Sequence, residues 1–185
     1  MSWIEVVDID EAEGKLAEVY ADVASRRGKL SDIMRIQSLE PEAMRHHLDL
    51  YMALMFRRGG LSRAERELIA VVVSVENGCE YCTQHHCAAL EAWWKDPARV
   101  RRLREDPSTA ELSSREEAMV AYARALTREP GAVDSEMVEA LRDEGLADPE
   151  ILQANMITAY FNFVNRIAEG LGVKPSPEEV EGYRY

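Results

Sequence analysis

The sequence predicts an all-α fold, and two observations carry that expectation. Apolar residues recur three and four positions apart through most of the chain, which is the period of a helix with one buried face. The stretches between these runs carry helix starts (Pro, Ser or Asp) and helix stops (Gly or Pro) rather than hairpin turns. No convincing strand, repeat or low-complexity segment interrupts the pattern. At 185 residues the chain is expected to form a single domain over 1–185, long enough to bury a core without disulfide or metal staples.

In chain order, Met1 to Asp10 alternate enough (Trp3, Ile4, Val6, Val7, Ile9) to read as an extended arm. From Glu11 to about Arg27, Ala12, Leu16, Val19, Tyr20 and Val23 mark a helix closed by Gly28. Leu30 to Ser38 reads as a short helix or turn, with Met34 and Ile36 facing the core or a subunit contact. Pro41 suits the first position of a helix to about Arg58, with a stripe of Met44, Leu48, Tyr51, Met52 and Met55. His46 and His47 on that helix read as exposed residues. Ser62-Arg63-Ala64-Glu65 is a capping box, so the valine-rich run Leu68 to Val75 is a buried helix and not a strand.

Gly78 ends that helix and another begins near Cys79, running through Leu90 and Trp93 to about Lys95. Asp96-Pro97 opens a short basic helix, Arg99 to Arg104, read as a solvated face. Ser113 or Ser114 caps the next, through Ala118, Val120, Tyr122 and Leu126, which stops before Pro130-Gly131. Asp134 or Ser135 caps one ending at Gly145. Asp148-Pro149 opens the last long helix, carrying Ile151, Leu152, Met156, Ile157, Tyr160, Phe161, Val164, Ile167 and Leu171 and closed by Gly170 and Gly172. A tail over 173–185 is expected to dock on a neighbouring subunit or fray.

A net charge of −12 and a pI near 4.8 argue against nucleic-acid phosphates as partners. The longest apolar stretch, Leu68 to Val75, is far shorter than a membrane span, and the N-terminus lacks the pattern of a signal peptide. Three clustered cysteines are no secreted disulfide framework. A cytoplasmic protein with working thiols is expected.

The chemistry concentrates in Glu76-Asn77-Gly78-Cys79-Glu80-Tyr81-Cys82-Thr83-Gln84-His85-His86-Cys87, which holds all three cysteines and two of the four histidines. On a helix, Cys79, Cys82 and His86 share one face, near the helix N-terminus where a thiol loses its proton most easily. Two readings follow from that spacing. Cys79, Cys82 and His86 could supply three zinc ligands, although the second Cys/His pair of a structural site is absent. Alternatively one thiolate attacks a peroxide or disulfide and the other resolves the product, with His86 taking the proton. His85 could compete for that role but reads as a surface residue, and Cys87 reads as a small buried one. Without a βαβ pattern, a thioredoxin fold is set aside.

The pattern Glu67, eleven residues, Cys79-x-x-Cys82, three residues, His86 resembles the alkylhydroperoxidase D/carboxymuconolactone decarboxylase-like superfamily, most closely its peroxidase-related branch. Leu61-Ser62-Arg63-Ala64-Glu65-Arg66-Glu67 and Asn165-Arg166-Ile167-Ala168-Glu169-Gly170-Leu171-Gly172 are similar to that branch too, and the strong match covers about 61–94. The resemblance implies an all-helical homo-oligomer (dimer, trimer or hexamer) that reduces organic hydroperoxides without metal, haem or other cofactor. It implies that Cys82 attacks the peroxide, Cys79 resolves the sulfenic acid, and Glu67 with His86 relays the proton. A dithiol or protein reductant would restore the pair. The sequence departs from the founding peroxidase at Tyr81, where that enzyme has a histidine; a phenol is a poor base at neutral pH. One alternative is a decarboxylase- or isomerase-like enzyme on the same fold, although those relatives usually lack the cysteine pair; another is a non-catalytic redox sensor or zinc-bound structural protein.

Overall fold

Helix caps divide the chain into the elements that position the site. The computed structural model describes residues 2–175 and Glu179, and within them nine α-helices and no strand. They are α1 (Gly14–Arg27), α2 (Asp32–Arg35), α3 (Pro41–Met55), α4 (Arg63–Glu76), α5 (Glu80–Trp94), α6 (Pro97–Glu105), α7 (Ser114–Arg128), α8 (Ser135–Asp143) and α9 (Asp148–Gly170).

Ser62 and Glu65 form the expected capping box at the start of α4, each side chain meeting the other residue's backbone amide. Ser113 and Glu116 do the same for α7. From Arg66 to Ser74 every residue of α4 is buried. α4 is therefore the central helix, packed against α5, α7 and α9. A smaller cluster, built on Leu16, Val19, Tyr20 and Val23 of α1 with Met44 and Leu48 of α3, covers one flank together with Met34. Ile36 joins the main core.

Several boundaries move, each for a local reason. α1 starts at Gly14 because Ala12 and Glu13 are extended after a 3-10 turn over Ile9–Glu11. The N-terminal arm makes no strand pairing; Tyr20 donates to the Val7 carbonyl at 2.8 Å, and the Trp3 amide to Leu171 at 3.0 Å. α3 stops at Met55 because the buried Arg66 side chain takes up the following carbonyls. It donates to Met55, Arg57, Gly59 and Leu61, so the 56–61 loop is stitched to α4. Leu152 and Met156, expected in the core stripe of α9, are 60% and 40% exposed. The buried face is instead Ile151, Ala154, Ile157, Tyr160, Phe161, Val164, Asn165 and Ala168.

Glu179 lies against its own chain, accepting from the Tyr81 hydroxyl at 2.6 Å and from the Asp32 amide at 2.8 Å. The other residues of the expected tail beyond Pro175, and Met1, lie outside the described residues. No helix among the described residues is long and apolar enough to cross a membrane.

Candidate active site

The turn between α4 and α5 delivers the dithiol. Gly78 adopts φ +67°, the left-handed conformation that costs other residues, and its amide donates to Val75 while that of Cys79 reaches back to Ser74. That double bond closes α4 and leaves Cys79 as the N-cap of α5. Cys82 is then the third residue of the helix and His86 lies one turn further on. All three cysteines are free and buried.

His86 and Glu67 meet between α5 and α4, with His86 Nδ1 2.6 Å from Glu67 Oε2. Glu67 is fully buried, contrary to the solvated charge that its place in the first turns of a helix suggests. Arg63, one turn earlier, pairs with its other oxygen through Nε at 2.9 Å and stacks over the Phe56 ring at 3.8 Å. Burial raises the Glu67 pKa, but His86 and Arg63 outweigh it and hold the carboxyl below its usual range, ionised near neutrality. The imidazole of His86 packs edge-on against Phe161 at 4.5 Å. A carboxylate behind an imidazole fixes the orientation of the ring, the arrangement of a general base.

The two thiols interact and titrate as a pair. Cys82 holds Cys79 below its ordinary value, against burial. Cys79 and burial together push Cys82 well above its own. In the resting pair the low-pKa thiol is thus the N-cap cysteine. The attacking role given to Cys82 therefore requires a base to take its proton. Two residues of α9 bear on the pair: Asn165 pulls Cys82 down, and Glu169 pushes Cys79 up. Asn165 is buried and held by Asn77 at 2.9 Å and Ser74 at 3.2 Å.

Cys82 and His86 open onto one pocket of about 70 Å³, whose wall includes Arg63 and Phe161 but not Cys79. His85 lines it as well, rather than facing solvent: its ring lies 4.5 Å from that of Tyr81, and burial lowers its pKa to about 4. His47, also expected on the surface, is buried on the pocket wall with Nε2 2.6 Å from the Tyr160 hydroxyl, while His46 is exposed. Tyr81 stands on Glu179 and accepts from the Ile33 amide at 3.2 Å. Cys87 is buried apart from the pair, its thiol pushed up to about 12. Among the described residues no three His, Cys, Asp or Glu side chains gather as a metal site.

Residues 41–125 match the family model of the carboxymuconolactone decarboxylase family. Comparison with curated proteins gives no match. Among solved structures, the alkylhydroperoxidase AhpD core of Ralstonia eutropha JMP134, described as an uncharacterized peroxidase-related protein, superposes with a TM-score of 0.87. It is 27% identical over 97% of this chain and 94% of that one. An uncharacterized peroxidase-related protein from Silicibacter sp. TM1040 gives 0.86 at 26% identity, over 99% and 96%. The debrominase Bmp8, as a cysteine variant bound to 2,3,4-tribromopyrrole, gives 0.79 over 97% and 96%; at 18% identity that likeness is one of fold alone. The all-helical fold, the matched segment and these neighbours support a place for the chain in the AhpD/carboxymuconolactone decarboxylase-like superfamily.

Proposed function

We propose that this protein is a thiol peroxidase that reduces organic hydroperoxides through Cys82 and Cys79. The observation that carries the reading is the buried Glu67–His86 pair, 2.6 Å apart, set on the same pocket as Cys82. The neighbours described as peroxidase-related support it.

In the first step the Cys82 thiol gives its proton to His86, and Glu67 stabilises the imidazolium. The thiolate attacks the terminal peroxide oxygen, the O–O bond breaks, and the alkoxide leaves. The alkoxide takes up a proton, giving the alcohol, so that the proton lost by Cys82 is balanced overall, while Cys82 becomes a sulfenic acid. In the second step Cys79 attacks the Cys82 sulfur, and hydroxide leaves with the Cys79 proton as water. The product is a Cys79–Cys82 disulfide. An external dithiol or protein reductant returns both thiols. The N-cap position of Cys79 suits it to the second step, because helix amides stabilise its thiolate. Three free cysteines suit a reducing, cytoplasmic setting.

One equivalent of cumene hydroperoxide added to reduced protein tests this reading. Peptide mass mapping is expected to show one alcohol formed per Cys79–Cys82 disulfide. Unconsumed peroxide, or a disulfide through Cys87, contradicts it.

A further inference from the structure

The pocket has a second pair of proton-bearing groups, facing the dithiol from α3 and α9. His47 Nε2 and the Tyr160 hydroxyl are 2.6 Å apart, both residues are buried, and both line the cavity onto which Cys82 and His86 open. Tyr160 is close enough to Cys82 for their charges to interact. Peroxide reduction has two proton demands: a thiol proton must be removed, and the departing alkoxide must be protonated. The two pairs differ in the way those demands differ. His86 is backed by the carboxylate of Glu67, and His47 by the amide of Gln37.

The Gln37 amide nitrogen is anchored on the Ile33 carbonyl at 2.6 Å. It is also the nearer of the two amide atoms to His47 Nδ1, at 2.9 Å against 3.0 Å for Oε1. With its second N–H on Nδ1, the imidazole carries its proton on Nε2 and donates to the Tyr160 oxygen. The phenolic proton is then turned away from His47 and free for an acceptor in the pocket. Burial keeps His47 neutral, lowering its pKa to about 4, and raises that of Tyr160 well above its ordinary value. Such a phenol holds its proton until a base as strong as an alkoxide forms beside it.

Resting on the peroxidase reading above, we propose that Tyr160, oriented by His47 and Gln37, is the catalytic acid that protonates the alkoxide leaving from the hydroperoxide. The O–H bond of Tyr160 breaks as the O–O bond does. The alcohol leaves, and the proton that His86 took from Cys82 restores the phenol through water in the pocket. The two pairs thereby divide the work: Glu67–His86 accepts from the thiol, and His47–Tyr160 donates to the leaving group.

Leaving-group chemistry tests this directly. Tyr160→Phe keeps the ring and removes the acid. An alkyl hydroperoxide releases an alkoxide that needs the proton; a peroxyacid releases a carboxylate that does not. Single-turnover oxidation of the reduced protein is measured with tert-butyl hydroperoxide and with peracetic acid. Tyr160→Phe is expected to slow the alkyl hydroperoxide by about 10²-fold, the usual contribution of a general acid, and to leave the peroxyacid rate near that of the unaltered protein. His47→Gln is expected to show the same selectivity in weaker form. Equal losses on both oxidants, or no loss on either, overturn the role of Tyr160 while the peroxidase reading stands. If the unaltered protein consumes neither oxidant, the peroxidase reading falls and the inference with it.

Discussion

Glu67 shows how much a single residue depends on its partners. It is an ionised carboxylate with no exposed surface, tolerated because Arg63 and His86 satisfy both oxygens. Replacing it with glutamine leaves the Arg63 guanidinium, itself nearly buried, without its counter-charge; breaking such a pair costs about 3 kcal/mol. The pH dependence has a definite sign. The folded pKa of Glu67 lies below the ordinary 4.5, so its stabilisation is complete above that value and is lost as the pH falls through the lower folded value. Denaturant unfolding should therefore show Glu67→Gln clearly less stable than the parent at neutral pH, with the gap narrowing below pH 4.5. An unchanged gap would mean that the carboxylate charge plays no part. Sequence gave one local hint of this environment, the spacing of Arg63 and Glu67 one helical turn apart. The partner across the interface, His86, is invisible to spacing, and only the family pattern joins the two.

At the scale of elements, α4, α5 and α9 carry the site, and their boundaries were legible because the caps are local chemistry. Ser62 and Ser113 start helices wherever the third helical residue is a Glu, and Gly78 alone tolerates the φ +67° that ends α4 and makes Cys79 an N-cap. The end of α3 was not legible, because it is set by Arg66 reaching back from another helix. Nor was the face of α9. Leu152 and Met156 continue the apolar pattern of the sequence, yet with Phe163 they form an exposed stripe, 60%, 40% and 51% accessible. The family resemblance implies a homo-oligomer, and we propose that this stripe is where a second copy of the chain packs. Sedimentation velocity is expected to give a mass above 20.9 kDa, reduced by Phe163→Lys; a single-subunit mass for the unaltered protein contradicts this.

In the whole molecule, the periodicity of the sequence is enough to give the all-α architecture, and the spacing of Cys79, Cys82 and His86 is enough to point to the candidate site. What spacing leaves out is the far wall of the pocket. His47 and His85 looked like surface residues because a helix sequence says which residues share a face, not which faces are buried by elements distant in the chain. The order of the two thiols also depends on the assembled fold. The pairing of the thiols lowers the pKa of Cys79, whereas Cys82 is the one on the pocket wall. On the proposed reading, access rather than resting charge decides which sulfur meets the peroxide, with His86 as the path for the proton.

The most direct test of that assignment is to oxidise Cys79→Ser with one equivalent of hydroperoxide in the presence of dimedone and locate the adduct by mass spectrometry. The account expects a sulfenic acid trapped at Cys82, with Cys82→Ser giving no peroxide consumption at all. An adduct at Cys87, or full peroxide consumption by Cys82→Ser with the adduct at Cys79, would contradict it.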